Sequence, residues 1–157
     1  MKNHNELKIC FAASSGGHLE ELYRLSGVIE GRNCFLITEK SDFFEDSVFD
    51  RAYYVKQINR KQVSFLPRFA LLLFQSYRIL RKEKPNCIIT TGALMGFAVA
   101  LVGKLMRKKI VYIESFARVD TASLTGKLIH PIADLFIVQW EEGLRFFSKA
   151  VYGGMIF

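Results

Sequence analysis

The chain has 157 residues, of which 50% are hydrophobic, and its formal net charge is +7 at pH 7. That length predicts one domain with a substantial core, and no apolar run reaches the roughly 20 residues that a membrane-spanning helix needs. We expect no signal peptide, because polar residues precede the first apolar run.

The three cysteines, Cys10, Cys34 and Cys87, lie far apart, each inside an apolar, strand-like run. This pattern is typical of buried free thiols in a reducing compartment, not of a disulfide framework. No group of histidines, cysteines or carboxylates has the spacing of metal ligands. We therefore predict a protein with no metal site and no cofactor.

The positive charge is compatible with three kinds of partner: nucleic acid, an anionic membrane surface or a phosphate-bearing substrate. Basic residues cluster towards the ends of two predicted helices, where the helix dipole favours cations, so part of the charge is structural. We predict a membrane surface and a phosphate-bearing ligand, and no nucleic acid.

Short apolar runs alternate with helical patterns along the whole chain. Strands are predicted over residues 7–13, 34–38, 52–55, 86–90, 110–114 and 135–138. Helices are predicted over residues 18–26, near 43–49, 63–82, 93–106, near 123–129 and 141–149. Continuously apolar strands with helices between them predict an α/β fold: a doubly wound, mostly parallel, Rossmann-like sheet with helices on both faces.

The first strand runs into a turn of small residues, SSGGH, before the first helix. Ligands of open α/β sheets bind beyond the carboxyl ends of the strands, near the point where the strand order reverses. Glycines and helix N-termini present backbone N–H groups to anions there. The candidate binding residues in this turn are Ser14, Ser15, Gly16 and Gly17, followed by His18.

Two later loops are predicted to reach the same edge of the sheet. TTGALMG, residues 90–96, follows the fourth strand and contains Gly92, and ESFARVDTASLTGK, residues 114–127, follows the fifth and contains Glu114 and Arg118. Three loops rich in Gly, Ser and Thr therefore converge, which predicts a phosphate or sugar-phosphate site.

Each of these residues also has a structural interpretation. Gly16 and Gly17 suit a strand-to-helix turn, Gly96 suits close packing of a helix on the sheet, and Arg118 suits an exposed surface. His18 suits a solvated or hydrogen-bonded position at a helix start. Their predicted convergence on one edge is what favours the functional interpretation.

A nicotinamide site is the obvious alternative, since Glu39 ends the second strand where a ribose-binding acid would lie. The Gly-x-Gly-x-x-Gly pattern is absent, because no third glycine follows Gly16 and Gly17 until Gly27. A phosphate-binding P-loop is excluded, since Gly-x-x-x-x-Gly-Lys-Ser/Thr does not occur.

The helix predicted over residues 63–82 carries more large apolar side chains than one sheet-facing stripe needs, together with several cations. That combination is typical of a helix lying in a membrane interface, where each basic residue contributes about 1 kcal/mol. An ordinary crossover helix with a wide buried face is the alternative. The residues assigned to the membrane surface are Phe65, Leu66, Arg68, Phe69, Leu73, Arg78, Arg81 and Lys82.

The last residues, 152–157, form an apolar, glycine-containing tail. An exposed apolar terminus is an unfavourable free surface but a suitable interface. We therefore assign Tyr152, Met155, Ile156 and Phe157 to contact with a partner.

Four stretches together resemble a known family: SSGGHLEEL, TTGALMG, IESFARVDTASLTGKLIHPIADLFIVQW and the closing YGGMIF. They are similar to bacterial polysaccharide-biosynthesis accessory proteins of the CpsF and PssD type, relatives of asparagine-linked glycosylation protein fourteen. The resemblance covers residues 7–157. It implies the N-terminal, acceptor-binding half of a GT-B glycosyltransferase such as MurG, here a single domain over residues 1–157.

The resemblance further implies a two-subunit enzyme that moves a sugar from a UDP-sugar to a polyprenyl-pyrophosphate-linked saccharide. A separate subunit binds the UDP-sugar, so this chain alone is expected to show little or no activity. We expect a cytoplasmic location at the inner face of the membrane, with a surface helix replacing the N-terminal membrane helix of the eukaryotic relatives.

Inverting transfer without a metal requires a base that takes the proton of the acceptor hydroxyl. On this interpretation His18 is the first candidate base and Glu114 the second, while Arg118 and the amides of Gly17 and Gly92 hold the pyrophosphate. A catalytically silent scaffold that recruits the partner transferase to the membrane is the alternative, and it would tolerate loss of His18.

Overall fold

The computed structural model describes residues 7–40, 48–58 and 65–156. Its seven strands form one sheet in the order β3-β2-β1-β4-β5-β6-β7, and every neighbouring pair is parallel. The strands are β1 (Lys8–Ala13), β2 (Asn33–Glu39), β3 (Ala52–Val55), β4 (Cys87–Thr90), β5 (Lys109–Ile113), β6 (Leu135–Val138) and β7 (Ala150–Tyr152).

Five α-helices and one 3-10 helix connect the strands within the described ranges. They are α1 (Gly17–Tyr23), α2 (Ser26–Ile29), α3 (Phe65–Glu83), α4 (Ala93–Leu105), α5 (Leu124–Ile129) and the 3-10 helix Glu141–Arg145. None of the helices described combines the length and apolar character that crossing a bilayer requires.

Both faces of the sheet are covered, which confirms the predicted doubly wound α/β fold. Cys10 and Ala12 of β1 belong to a core shared with α3, α4 and α5, whereas Phe11 and Ala13 belong to a second core shared with α1 and α2. Successive side chains of a strand point to opposite faces, so a strand buried on both must be apolar throughout.

The structure corrects two predicted elements. Residues 141–149 do not form an α-helix; a 3-10 helix ends at Arg145, because the chain turns into the unpredicted strand β7 at Ala150. The first helix ends at Tyr23 and a separate helical turn, α2, follows. The helix predicted near 43–49 lies, except for its last two residues, outside the described part of the chain, as does the predicted start of α3.

Strands β1 and β4 are neighbours although about seventy residues separate them in sequence, with Ala12 opposite Thr90. The chain continues from β1 to β2 on one side and from β4 to β5 on the other. The strand order therefore reverses between β1 and β4, and the crevice beyond their carboxyl ends is where ligands of such sheets bind.

At the opposite edge of the sheet, the Asp134 carboxylate accepts hydrogen bonds from three donors. They are the Ile110 N–H at 2.9 Å and the ammonium groups of Lys104 and Lys109 at 3.1 and 3.2 Å. Burial opposes the charge, but these donors outweigh it and hold the pKa of Asp134 at about 2. Lys104 near the end of α4 and Lys109 at the start of β5 thus help to fix β5 against β6.

Candidate active site

A cleft of about 500 Å³ opens at the carboxyl edge of the sheet, beside the switch point. Its walls come from the turn after β1, the ends of β2 and β3, the start of α4, and the loop from β5 to α5. Among its lining residues are Ser14, His18, Glu39, Gln57, Ala93, Tyr112, Ser115, Arg118 and Ser123. Ser14, His18 and Arg118 of the predicted site therefore share one cleft.

His18 reaches the cleft from the first turn of α1. Gly16, with φ of +90°, makes the corner that starts this helix, a conformation that glycine adopts at little cost. Thr91 Oγ donates a hydrogen bond of 2.7 Å to the His18 carbonyl oxygen, which ties α1 to the end of β4. The His18 side chain keeps 32% of its surface exposed while its Nδ1 atom is buried, so Nε2 is the nitrogen available to a ligand.

Gly92 supports the histidine by its lack of a side chain. A Cβ at this position would lie 3.3 Å from His18 Cε1 and 3.2 Å from the Tyr112 hydroxyl, and its φ is +122°. The Gly92 N–H donates to Thr90 Oγ at 3.2 Å. This glycine therefore shapes the wall behind His18, and its amide already has a partner inside the protein.

The next residue, Ala93, has φ of +61° although it carries a Cβ. A left-handed conformation is costly for such a residue, and strain of this kind collects at functional sites. Ala93 lines the cleft at the first position of α4, so the strained backbone lies where the helix N-terminus meets the cavity.

Glu114, the second candidate base, does not present a free oxygen to the cleft. It is only 3% exposed. One oxygen accepts from the Tyr112 hydroxyl at 3.2 Å and the Ser115 N–H at 3.0 Å, and the other accepts from the Ser123 hydroxyl at 3.0 Å and its N–H at 3.4 Å. A carboxylate with four donors around it is a structural anchor for the loop that follows, while its role as a base stays a prediction.

The surroundings of Glu114 also explain why Tyr112 keeps its proton and why residue 126 is a glycine. Burial and the adjacent Glu114 charge raise the pKa of Tyr112 well above its ordinary value, so the phenol keeps its proton and donates it. Ser123 caps α5 by accepting from the Gly126 N–H at 2.8 Å. A Cβ on Gly126 would overlap the Glu114 carboxylate, so the glycine in LTGK is required by this anchor.

The other predicted binding residues lie around the mouth of the cleft. Arg118 is exposed and donates to Thr121 Oγ at 3.4 Å, so its cation is available at the opening. Ser15 is half-buried, while Gly16 and Gly17 are exposed in the turn. None of these three is among the residues that line the cleft.

Glu39 and Gln57 form the wall opposite the loop after β5. Glu39 is 7% exposed, and its burial raises the pKa of the carboxyl group although the Ile58 N–H donates to it. The sequence identified Glu39 only as a ribose-binding acid of a dinucleotide site. Its position in the cleft makes it a polar contact for whatever ligand enters.

Glu21 is the functional candidate that the sequence analysis missed. It is 5% exposed, and its Oε2 lies 4.0 Å from His18 Nδ1. The spacing of three residues on a helix places two side chains on one face, so the pair could have been found from the sequence.

Within residues 7–40, 48–58 and 65–156, no cluster of three or more potential metal ligands occurs.

The helix assigned to the membrane is only partly turned outward. Phe69 stacks on Phe97 of α4 with ring centroids 6.4 Å apart, and Leu73 packs against the core. Phe65 is half-buried and stacks on Phe69. These three predicted lipid contacts therefore face inward or sideways, because α3 packs along α4.

The exposed face of α3 has an apolar half followed by a basic half. Leu66 is 75% exposed, and Leu71 and Phe74 are 50% and 57% exposed. The exposed predicted cations Arg78, Arg81 and Lys82 follow, while Arg68 is half-buried. A compact apolar surface and a cationic surface thus lie along one helix.

The C-terminal tail is partly built into the fold. Tyr152 belongs to β7 at the sheet edge and is 46% exposed, and Met155 is 57% exposed. Ile156 packs against the second core, and its N–H donates to the Gln139 side chain at 3.0 Å. Phe157 lies outside the described residues. The outward-facing part of the predicted interface therefore comprises Tyr152 and Met155.

A family model described as "Oligosaccharide biosynthesis protein Alg14 like" matches residues 9–156, nearly the whole chain. Curated relatives include proteins named UDP-N-acetylglucosamine transferase subunit ALG14. The rat and human proteins are each 30% identical to this chain over 96% of its length and 83% of theirs. The Candida albicans protein is 29% identical, over 96% and 78%.

Solved structures with the same fold are longer proteins. A UDP-N-acetylglucosamine 2-epimerase from Rickettsia bellii has a TM-score of 0.75 and 17% identity, over 97% of this chain and 46% of that one. MurG of Acinetobacter baumannii has a TM-score of 0.69 and 13% identity, over 84% and 41%. The chain thus spans less than half of these structures, and at such identities the likeness concerns the fold, a Rossmann-like GT-B half.

Proposed function

The chain belongs to the Alg14 family of oligosaccharide biosynthesis proteins, and from that premise we propose that it is the acceptor-binding subunit of a two-part inverting glycosyltransferase. A second subunit would bind the UDP-sugar. The acceptor would be a saccharide linked to polyprenyl pyrophosphate, and the product a surface polysaccharide precursor. The name shared by the relatives makes UDP-N-acetylglucosamine the first donor to test.

The observation that carries this proposal is the position of His18 at the switch-point cleft. Its ring lines the cavity with Nδ1 buried, which leaves Nε2 as the nitrogen that can meet an acceptor hydroxyl. A neutral imidazole is a suitable base near pH 7. No other histidine is among the residues that line this cleft.

In the proposed reaction, Nε2 of His18 takes the proton of the acceptor hydroxyl as that oxygen attacks the anomeric carbon of the donor sugar. The bond between the anomeric carbon and the UDP oxygen breaks, and UDP leaves with the bonding electrons. Attack from the side opposite UDP inverts the anomeric configuration. The imidazolium then returns its proton to solvent.

The pyrophosphate of the acceptor would lie at the mouth of the cleft. Arg118 is an exposed cation there, and the N-terminus of α4 at Ala93 adds the positive end of a helix of 13 residues. Anions are favoured at helix N-termini. The Gly92 amide is a weaker candidate than the sequence suggested, since it donates to Thr90.

The exposed face of α3 would bring this cleft to the lipid. Its apolar half suits the boundary of the acyl chains, and Arg78, Arg81 and Lys82 suit anionic headgroups. On this proposal the protein is cytoplasmic and peripheral on the inner face of the membrane. Tyr152 and Met155 would contact the second subunit.

The test is to coexpress the chain with its candidate UDP-sugar-binding subunit and measure transfer to a polyprenyl-pyrophosphate acceptor. We expect no transfer by either subunit alone, and His18→Ala should lower turnover of the complex by roughly 10²–10⁴-fold. Glu20→Gln, an exposed change two residues away on α1, is the matched control. Near-normal turnover of His18→Ala would instead support the silent-scaffold alternative.

A further inference from the structure

Two buried polar atoms face each other at the buried edge of the His18 ring. Nδ1 of His18 and Oε2 of Glu21 lie 4.0 Å apart, and within the described residues neither has a hydrogen-bond partner. Unpaired buried groups of this kind destabilise the folded protein, so native proteins rarely retain them without a reason. A movement of about 1 Å would join them in one hydrogen bond.

The other oxygen of Glu21 is fixed by the loop after β5. Oε1 accepts from the Ser115 hydroxyl at 2.7 Å and from the Phe116 N–H at 3.0 Å. These donors and the 5% exposure of Glu21 keep its carboxylate from turning into solvent. Oε2 is therefore held towards His18 by contacts that do not involve the histidine.

No other group of the described residues forms a hydrogen bond with Nδ1. The edge of the ring that contains Nδ1 and Cε1 lies beside Gly92, which has no side chain. Thr91 uses its hydroxyl on the His18 carbonyl oxygen. Among the described residues, Glu21 supplies the carboxylate oxygen that lies 4.0 Å from Nδ1.

We propose that Glu21 is a positioning residue: it accepts the Nδ1 proton of His18, fixes the tautomer and leaves the Nε2 lone pair facing the cleft. This inference rests on the proposed role of His18. The proton of the acceptor hydroxyl moves to Nε2, while the Nδ1 proton stays on the ring and the Glu21 carboxylate stabilises the imidazolium. Partners of this kind set the orientation and basicity of a functional histidine.

The contact can be tested without turnover by ¹⁵N NMR of histidine side chains in the full chain, at a pH where the ring is neutral. The chain has three histidines, and His18→Gln identifies the signal of His18. We expect the Nδ1–H tautomer in the wild type. In Glu21→Gln the amide can still accept from Ser115 and Phe116, but its NH₂ now donates to Nδ1, so the tautomer should switch to Nε2–H.

The kinetic arm uses the two-subunit complex. Glu21→Gln should lower kcat by roughly 10²-fold or more with little change in KM for the acceptor, because Nε2 of an Nε2–H ring has no lone pair with which to take the hydroxyl proton. Glu20→Gln, the adjacent exposed carboxylate, should leave both the tautomer and kcat unchanged. Melting temperatures of both variants control for folding.

An Nε2–H tautomer in the wild type would overturn the proposal without any variant, and so would an unchanged tautomer in Glu21→Gln. A tautomer switch in Glu21→Gln with undiminished turnover would support the contact between Glu21 and His18 but contradict the assignment of His18 as the base.

Discussion

Gly92 leaves room for the His18 ring because it has no side chain: a Cβ there would lie 3.3 Å from His18 Cε1. Gly92→Ala should displace the ring and also strain the backbone, whose φ is +122°. We expect turnover of the two-subunit complex to fall at least about 10-fold, since catalytic groups tolerate little misplacement.

The matched control is Gly31→Ala. Gly31 also has a positive φ, +69°, but nothing lies within 4 Å of the Cβ it would gain. Gly31→Ala should lose about 1–2 kcal/mol of stability through the backbone and Gly92→Ala about 1–3 kcal/mol, whereas only Gly92→Ala should lose turnover. Equal turnover of the two variants would contradict a role for Gly92 in shaping the site.

Glu114→Ala should act on stability first. The substitution leaves the donors of Tyr112, Ser115 and Ser123 without their buried acceptor, which we expect to cost about 3 kcal/mol. Urea denaturation measures the loss, with the exposed Glu142→Ala as control. A stable Glu114→Ala that has lost only turnover would support Glu114 as a candidate base.

Asp134 should make stability dependent on pH at the acid end. Its folded pKa of about 2 lies below the ordinary pKa of 3.8 for an aspartate, so its contribution is present above about pH 4 and disappears as the pH falls towards 2. Because the residue is partly exposed, we discount the shift for solvent screening to about 1 kcal/mol.

Asp134→Asn should therefore be less stable than the wild type at pH 7, and the difference should vanish on acidification. Urea denaturation at several pH values measures both quantities. Asp120→Asn, whose side chain is 77% exposed, should follow the wild type throughout. A difference for Asp134→Asn that persists at pH 2 would show that the carboxylate charge is not its origin.

The exposed face of α3 should bind anionic vesicles. The wild-type chain should sediment with liposomes rich in phosphatidylglycerol at low salt and be released at high salt, because the basic contacts are screened. Arg78→Glu/Arg81→Glu should bind less. Lys127→Glu/Lys149→Glu makes the same change in net charge on exposed sites away from α3 and should bind like the wild type.

Phe74→Ser tests the apolar half of the same face. Phe74 is 57% exposed, so the substitution should weaken vesicle binding at low salt while leaving the fold intact. Wild-type protein that stays in the supernatant with every vesicle would mean that the lipid acceptor is met through the other subunit.

Met155→Asp should weaken binding of the second subunit at least about 10-fold, because a charge would enter an apolar contact at the sheet edge. Substituting Met155 is more informative than deleting the C-terminal tail. Ile156 contributes to the core of this chain, so a deletion would also disturb the fold. Leu105→Asp, at a residue that is 78% exposed, is the control, and isothermal titration measures both. Equal affinity of the two variants would place the interface elsewhere.

Much of the fold could be predicted from the sequence because a strand buried on both faces must be apolar throughout, as Ile9 to Ala13 of β1 are. The last strand could not. β7 has three residues, lies at the sheet edge and is half-buried or exposed. Although all three are apolar, so short a run does not distinguish a strand from a helix.

The site was predicted only in outline, for a different physical reason. The carboxyl edge could be found from strand ends, which place His18, Gly92 and Arg118 on one side. Whether a polar side chain faces the cleft or the interior depends on packing between distant segments. Glu114 and Glu21 show this, since both are held by hydrogen bonds to the loop that follows β5.

The pairing of β1 with β4 has a consequence for how ligands can be found. The walls of the cleft come from segments more than one hundred residues apart, from Ser14 to Thr125, so the cleft exists only when the whole sheet is formed. Any molecule that fills it binds the native state alone. At one hundred times its dissociation constant it should raise the unfolding free energy by about 2.7 kcal/mol. Thermal-shift screening of saccharide and pyrophosphate fragments can therefore identify acceptor chemistry before an assay of transfer exists.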